Sequence, residues 1–254
     1  MSKYLITGDK GFIGTNLKRY LSQQGYEVIG LDRPTDCCND YIMEKVDIVV
    51  HLAAETDVRK SIEDPAQTFI NNCKSTINIL NFAWSCNAKV IFASSCGVRR
   101  ITNSYTASKL AGESICKAFR ESYGLDVNIL RFSNVYGPFS LHKTSVVTKF
   151  IKAKLTDIPA LIFGTGHQKR DFIHVSDVCK AIHECQGDQE VSTGVLTSIN
   201  TLAELIGCEV KYSDPINGEV FNPETGNIKD EMVDLRLGLL STYSWFVGNY
   251  EIIK

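Results

Sequence analysis

The sequence predicts an α/β protein built on a doubly wound parallel sheet, followed by a smaller C-terminal portion. In the first half of the chain, short apolar segments alternate with segments that repeat apolar residues at helical spacing. The apolar segments are continuous rather than alternating, which is typical of strands that helices cover on both faces. Because crossovers between parallel strands are right-handed, these two observations together favour the doubly wound topology.

The predicted elements follow this alternation in order. The apolar residues 4–7 predict the first strand, and Leu17 and Leu21 give the helix at 14–24 one apolar face. Further strands are predicted at 26–31, 46–52, 89–93 and 126–131, and further helices at 68–85 and 104–122. After residue 138 the spacing becomes irregular and glycine and proline become frequent, so we place a domain boundary there.

Composition and charge narrow the range of functions. A formal net charge of -2 over 254 residues gives no electrostatic reason to expect nucleic acid or an anionic membrane as a partner. No apolar segment reaches membrane-spanning length and the N-terminus lacks a signal-peptide pattern, so we expect a cytoplasmic protein. The 9 cysteines, including the adjacent Cys37 and Cys38, lack the spacing of a zinc site, and we expect reduced thiols and no bound metal.

The first predicted strand leads into a glycine-rich turn. Residues 7–14 read Thr-Gly-Asp-Lys-Gly-Phe-Ile-Gly and are followed by a helix and a second strand. In a dinucleotide-binding turn, Gly8 makes the tight turn, Gly11 lets the backbone approach a pyrophosphate, and Gly14 lets the helix pack closely on the strand. The helix N-terminus then offers free N–H groups to the phosphates, so the context predicts a dinucleotide site.

An acidic residue ends the second predicted strand, where a dinucleotide's ribose is expected. A carboxylate at Asp32 accepts hydrogen bonds from both ribose hydroxyls and repels a 2′-phosphate, which favours NAD over NADP. The neighbouring Arg33 is the opposing signal, because a cation there holds a 2′-phosphate.

A tyrosine and a lysine four residues apart lie in the helix predicted at 104–122. Their spacing puts Tyr105 and Lys109 on one face, and a cation beside a phenol favours the phenolate, so Tyr105 becomes a candidate general acid and base. Ser95 follows the preceding strand, and its hydroxyl is placed to hydrogen-bond the same substrate oxygen.

These motifs together resemble the NAD-dependent epimerase/dehydratase family, a nucleotide-sugar branch of the extended short-chain dehydrogenases/reductases, and within it the UDP-glucose 4-epimerase type. The matching segments are 7–14, 51–54, Asn72 with Thr76 and Asn78, 92–95, 105–113, 131–138 and 164–178. The resemblance implies that 1–138 is an NAD-binding Rossmann domain. It implies that 139–254 is a substrate-binding portion, segments of which return to the first domain.

The resemblance also implies residue roles. The catalytic trio would be Ser95, Tyr105 and Lys109. The residues that would hold NAD are Gly8, Gly11, Phe12, Ile13, Gly14, Asp32, Leu52, Ala53, Ala54 and Asn72, together with Tyr105 and Lys109. Ser95, Asn134 and Arg170 would bind a nucleotide-diphosphate sugar, with the Arg170 guanidinium on its diphosphate. Relatives commonly form homodimers, and here the helices at 68–85 and 104–122 would build a four-helix bundle.

The residues after Ser95 separate the reactions of the branch. Dehydratases and UDP-xylose-type decarboxylases resemble one another in carrying an acidic residue there, whereas this chain has Cys96 and Gly97. The expectation is therefore a 4-epimerase that oxidises the sugar transiently at C4 through NAD, with Tyr105 as general acid and base. The alternative is an NAD(P)-dependent 4-keto sugar reductase, or an epimerase/reductase of the GDP-fucose synthase type. The latter type uses a cysteine and a histidine, and Cys96 and His142 lie near the expected positions without matching them.

The chain departs from the family pattern in three shortened regions, one of which is the C-terminal portion. Between Ser95 and Tyr105 the longer loop of relatives is missing, and Arg99 and Arg100 stand there, either to recruit an anionic sugar or to solvate the loop. Residues 33–46 compress the usual third strand and its helix, and leave Asp36 and Asp40 as alternatives for the adenine-facing position.

Two histidines fall in apolar strand-like segments. We expect His51 to be a buried residue hydrogen-bonded to backbone, and His174 to be structural as well.

Overall fold

A computed structural model describes residues 2–32, 44–215, 232–249 and 251. The chain divides into two compact units, Met1–Phe132 with Cys179–Glu190, and Ser133–Val178 with Val191–Lys254. The expected assignment of NAD binding to 1–138 and substrate binding to 139–254 concerns function and stays a prediction.

The first unit is built on a parallel sheet between helices. Its elements are β1 (Lys3–Thr7), α1 (Phe12–Gln23), β2 (Glu27–Leu31), β3 (Ile48–His51), α2 (Val58–Glu63), α3 (Pro65–Cys86), β4 (Lys89–Ser95), α4 (Ser104–Tyr123) and β5 (Val127–Phe132). The strand order is β2-β1-β3-β4-β5, extended at the β5 edge by β9 (Gln189–Val191). β1 to β5 all pair in parallel, which confirms the predicted fold class.

The core of this unit lies between the sheet and its helices. Leu5, Val49 and Val90 from three neighbouring strands are buried, as the continuous apolar segments predict. Leu17 and Leu21 are both fully buried, so the apolar face predicted for the first helix does cover the sheet. Burying each such side chain contributes about 2 kcal/mol to folding.

Capping residues explain where the helices begin and end. α3 starts three residues before the predicted position, because Asp64 caps it by accepting the Gln67 amide at 3.1 Å and Pro65 occupies its first turn. α4 ends at Gly124, whose φ of 66° is the left-handed conformation typical of a helix terminus.

The second unit contains shorter elements. They are β6 (Asn134–Tyr136), α5 (Val146–Thr156), β7 (Ala160–Phe163), β8 (Lys169–His174), β10 (Leu196–Ser198), α7 (Ile199–Ile206), β11 (Val210–Ser213) and α8 (Leu235–Gly248). β10, β8 and β6 form one sheet, and β11 pairs with β7 in a second. α6 (Val175–His183) follows β8, and the division between the units falls within this helix. Among the described residues, no helix is long and apolar enough to cross a membrane.

Candidate active site

The glycine-rich turn packs closely against the start of α1. Gly8 has a φ of 74°, and its amide donates to the carbonyl of Leu31 at 2.7 Å. A Cβ on Gly14 would lie 2.1 Å from the Gly8 carbonyl oxygen, so only glycine lets α1 approach the turn this closely. Gly11 precedes the helix, and within the described chain no side chain caps its first turn. The amides at this end therefore have no side-chain cap, which suits an anion.

Asp32 is held next to the same turn. Its carboxylate accepts the backbone N–H of Lys10 at 2.9 Å, so the end of β2 and the glycine turn are joined directly. Arg33, Asp36, Asp40, Cys37 and Cys38, which the sequence analysis singled out nearby, lie outside the described residues.

Leu52, Ala53 and Ala54 follow β3 and run beside the turn. A Cβ on Gly8 would lie 3.0 Å from the Ala53 nitrogen, and the Ala53 amide donates to the Thr7 hydroxyl at 3.1 Å. Phe12 is buried at the start of α1, where it contributes to the core. The structure thus brings Gly8 of the glycine turn and the 52–54 segment together.

A buried hydrogen-bond chain runs from this turn towards α4. His51 Nδ1 lies 2.7 Å from the Thr7 hydroxyl, and its Nε2 lies 3.3 Å from the Thr76 hydroxyl. Thr76 in turn donates to the carbonyl of Asn72 at 2.7 Å. His51 is therefore buried and structural as predicted, but the prediction that it bonds backbone was wrong, because two threonine hydroxyls flank its ring.

Asn72 continues this chain to the helix that carries Tyr105. Its Nδ2 donates to the Ser108 hydroxyl at 2.9 Å and to the Glu55 carbonyl at 3.1 Å, while its Oδ1 accepts the Glu55 amide at 2.8 Å. Ser108 donates to the carbonyl of Tyr105 at 2.8 Å. Asn72 therefore fixes the segment after β3 relative to α4, and its expected contact with NAD stays a prediction.

Ser95, Tyr105 and Lys109 lie at the junction of β4 and α4. The Ser95 hydroxyl lies near the Tyr105 phenol and lowers its pKa. The Gly97 amide donates to Ser95 Oγ at 3.1 Å, in the short 3₁₀ turn over Cys96–Arg99 that follows β4. Lys109 is buried, donates from Nζ to the carbonyl of Ala93 at 2.8 Å, and lies 5.0 Å from the centre of the Phe92 ring.

Burial moves the pKa values of these groups in opposite directions. It raises the pKa of the Tyr105 phenol to about 12, and the nearby Ser95 hydroxyl offsets part of that rise. It lowers the pKa of the Lys109 ammonium to about 8. Burial, and then the nearby charge of Lys109, lower the pKa of His51 to about 3. In the protein alone, the phenol therefore keeps its proton at neutral pH, contrary to the expected ease of forming the phenolate.

An ion-pair network lies beside Ser95 that the sequence analysis did not identify. Glu113 is fully buried, accepts the Ser94 hydroxyl at 2.6 Å, and receives two hydrogen bonds from Arg131 at 2.7 and 2.6 Å. Glu190, from β9, accepts Arg99 Nε at 2.9 Å and lies 3.9 Å from Arg131. The sequence offered one signal, since Glu113 follows Lys109 by four residues and so shares its face of the helix.

The two residues predicted to hold the substrate diphosphate and sugar lie on neighbouring strands of the second unit. Asn134, the first residue of β6, donates to the carbonyl of Asp171 at 3.2 Å. Arg170 is half-buried on β8, and its Nη1 donates to the Lys169 carbonyl at 2.7 Å.

Asp171 organises this part of the second unit. Its carboxylate is buried and accepts the amides of Thr193 and Gly194 at 3.0 and 2.7 Å, besides the Ser133 hydroxyl at 3.1 Å. His174 closes β8 with its ring edge-on to Tyr136 and Nδ1 2.7 Å from the Ser176 hydroxyl, in keeping with the expected structural role.

Comparison with known proteins agrees with this geometry. The "Putative UDP-glucose 4-epimerase" of Methanocaldococcus jannaschii is 31% identical over 301 residues, covering 96% of this chain and 98% of that protein. The structure of a UDP-N-acetylglucosamine 4-epimerase from Methanobrevibacter ruminantium, in complex with UDP-N-acetylmuramic acid, is similar with a TM-score of 0.88 and 26% identity. The match covers 98% of this chain and 99% of the chain in that structure.

A second solved structure agrees with the first. The UDP-glucose 4-epimerase of Thermotoga maritima, solved with UDP-glucose, matches with a TM-score of 0.86 at 25% identity over 98% of this chain and 99% of its own. The model of the NAD dependent epimerase/dehydratase family matches residues 4–188, which include the glycine turn, the Ser95 and Tyr105 pair and Arg170. The chain therefore belongs to the NAD-dependent epimerase/dehydratase family and is a nucleotide-sugar enzyme of the short-chain dehydrogenase/reductase type.

Proposed function

We propose that the protein is a nucleotide-sugar 4-epimerase that uses NAD and a UDP-sugar. The observation that carries this proposal is the placement of Ser95 beside the start of the helix that holds Tyr105 and Lys109: a Cβ on Gly97 would lie 3.2 Å from Ser95 Oγ and 3.1 Å from Thr106 Cγ2. The turn that follows Ser95 carries no carboxylate. The similar proteins named above are UDP-sugar 4-epimerases, which supports UDP as the nucleotide.

The residues of the glycine turn suit NAD. The close approach of α1 leaves no room for a Cβ at Gly14, and the uncapped amides at the helix start, as far as the described chain extends, suit a pyrophosphate. Asp32, tied to Lys10, would accept the ribose hydroxyls, and the 52–54 segment would line the other side of the turn. When bound, NAD supplies a reversible hydride acceptor for C4 of the sugar and a positively charged ring.

The chain's own residues would manage the proton. Tyr105 would take the proton of the sugar 4-hydroxyl and later return it, while Ser95 holds the same oxygen by a hydrogen bond. Lys109 would supply positive charge near the phenol from its place on the Ala93 carbonyl, and this charge stabilises the phenolate. Asn134 and Arg170 would hold the nucleotide-diphosphate sugar, a role that rests on the family resemblance.

Dehydration is disfavoured by the same geometry. Relatives include a dTDP-D-glucose 4,6-dehydratase of Dictyostelium discoideum at 27% identity, and elimination of water needs an acid and base beside the catalytic hydroxyl. Here Cys96 occupies that place, and its thiol donates to the carbonyl of Arg131 at 3.4 Å. A thiol held on backbone is also poorly placed as the epimerising acid of a GDP-fucose synthase-type enzyme.

We further propose a homodimer formed through α3 and α4. These helices pack on each other and leave large apolar side chains exposed, namely Phe69, Ile70, Ile77, Trp84 and Tyr123. A contiguous apolar surface of this kind is typical of a subunit interface. Ile115 and Phe119 are half-buried against the core, so the interface would be centred on α3 and the end of α4.

The experiment that tests the proposal is a turnover assay of the purified protein on a panel of UDP-, GDP- and dTDP-sugars, with Tyr105→Phe as the variant. We expect interconversion of a UDP-sugar with its 4-epimer, and NAD that stays with the protein through purification. Tyr105→Phe should lower turnover by at least about a hundredfold while leaving bound NAD unchanged. Unchanged turnover in the variant, or turnover only with added NADPH and a keto sugar, would refute the assignment.

A further inference from the structure

Ser95 lies in a segment that is tied down on both sides. Before it, the Ser94 hydroxyl donates to the buried carboxylate of Glu113 at 2.6 Å. After it, Arg99 pairs with Glu190 through two hydrogen bonds, one of them 2.9 Å from Nε. Between these two ties, Ser95 Oγ accepts the Gly97 amide at 3.1 Å.

We propose that the Arg99–Glu190 ion pair is a positioning clamp that holds the Ser95 hydroxyl in place for Tyr105. The inference rests on the proposed function, since it concerns the same hydroxyl pair. It also decides between the two interpretations of Arg99 that the sequence left open, because its guanidinium is engaged by a carboxylate of β9.

The clamp acts through a single short turn. Arg99 is the last residue of the 3₁₀ turn that begins at Cys96, and the Arg100 amide closes that turn by donating to the Gly97 carbonyl at 3.1 Å. A turn of this length has few internal hydrogen bonds and poor geometry, so it depends on outside contacts for its rigidity. Without the ion pair between Arg99 and Glu190, the Gly97 amide would no longer be fixed where it donates to Ser95 Oγ.

The two ties are connected through Arg131 of β5. Glu190 lies 3.9 Å from Arg131, and Arg131 forms the double hydrogen bond with Glu113. The four charges therefore alternate in sign from Arg99 through Glu190 and Arg131 to Glu113, so each cation lies beside a carboxylate. Such a network orients its members more strictly than an isolated surface pair does.

Arg99 and Glu190 are the members best suited to substitution. Their side chains are 32% and 22% exposed, whereas that of Glu113 is 1% exposed. Neutralising Arg99 or Glu190 therefore leaves no unpaired charge in the core. Arg100 provides a matched control, since it carries the same charge in the same loop, is exposed, and has no side-chain partner among the residues the structure describes.

The test compares Arg99→Gln, Glu190→Gln, their double variant and Arg100→Gln. We expect each clamp variant to lower kcat about tenfold with KM within about twofold, because a displaced catalytic group costs rate rather than binding. The double variant should be no slower than either single one, since both remove the same interaction. Arg100→Gln should keep the wild-type kcat, and all four proteins should melt within a few degrees of the wild type.

Hydrogen–deuterium exchange of the Gly97 amide gives a second readout that needs no turnover. We expect faster exchange in both clamp variants and unchanged exchange in Arg100→Gln. If the wild type turns over no nucleotide sugar, the proposed function fails while the exchange data still decide on the clamp. Unchanged kcat and unchanged Gly97 exchange in Arg99→Gln would overturn the clamp. A rise in KM alone would overturn it as well, in favour of a sugar-binding arginine.

Discussion

Acidification should destabilise this protein through His51. The ring is 2% exposed, lies between the hydroxyls of Thr7 and Thr76, and has a pKa lowered from 6.5 to about 3. Because folding depresses the pKa, the unfolded chain takes up the proton first. The stability that the neutral ring provides is therefore complete above about pH 6.5 and is lost progressively as the pH falls towards 3.

Burial is the main cause of the low pKa of His51, and the hydrogen bonds of the ring also suit its neutral form. The Thr7 hydroxyl accepts the Ala53 amide, so its own proton is free to point at Nδ1. The Thr76 hydroxyl donates to the Asn72 carbonyl and so accepts from Nε2. A proton added at Nδ1 would turn this nitrogen into a donor that faces the donating Thr7 hydroxyl, so their hydrogen bond would be lost. It would also add a positive charge near that of Lys109.

The magnitude follows from the two pKa values. Where only the unfolded chain binds the proton, the free energy of unfolding falls by about 1.4 kcal/mol for each pH unit. Acidification from about pH 7.5 to pH 5 should therefore lower it by about 2 kcal/mol through His51. We would measure urea unfolding of the wild type and of His51→Asn at both pH values. Since the carboxylates and the other histidines titrate alike in both proteins, the difference between them isolates His51.

The expected result is a stability gap that closes on acidification. At neutral pH the wild type should be the more stable protein, and by about pH 5 its advantage should shrink by about 2 kcal/mol. A gap of the same size at both pH values would show that His51 does not titrate in this range upon unfolding, and would refute the reasoning.

Two further predictions concern the cofactor turn and the assembly. Gly14→Ala should weaken NAD binding at least about tenfold, because its Cβ would lie 2.1 Å from the Gly8 carbonyl oxygen and the turn must open. Isothermal titration would show this, with Gly248→Ala as the control, since a Cβ there meets nothing within 4 Å. Ile70→Glu should turn the proposed dimer into a monomer in light scattering, because it places a charge on the exposed apolar face of α3. A wild type that is already monomeric at micromolar concentration would contradict the assembly.

Most of the first unit could be predicted because its signals are local. Each strand is a continuous apolar segment, and the glycine turn fixes where α1 must begin. α2 was missed because four of its six residues are polar and the segment is too short to repeat its apolar spacing, although Asp57 caps it by accepting the Arg59 amide at 2.9 Å. In the second unit, three-residue strands such as β6 and β10 are too short to show any periodicity.

The contacts around the site could not be predicted, because they join residues far apart in the chain. His51 reaches Thr7 across 44 positions, and Arg99 reaches Glu190 across 91. The side chains of Arg99 and Arg100 are chemically equal in the sequence, and only the fold gives one of them a carboxylate partner. Sequence spacing identified Tyr105 and Lys109 correctly as neighbours on a helix face, but it could not show that the ammonium donates to the Ala93 carbonyl.

The hydrogen bond from Lys109 to the Ala93 carbonyl bears on the proposed acid–base role of Tyr105. Burial raises the pKa of Tyr105 to about 12 and lowers that of Lys109 to about 8, so the protein by itself favours a protonated phenol, and the Lys109 ammonium loses its charge above about pH 8. A phenol in this state can give a proton but takes one poorly. Further positive charge beside the ring is needed before Tyr105 can act as a base, so its basicity depends on what occupies the dinucleotide site. Under the proposed function, Tyr105 would therefore remove the sugar proton only in the loaded enzyme.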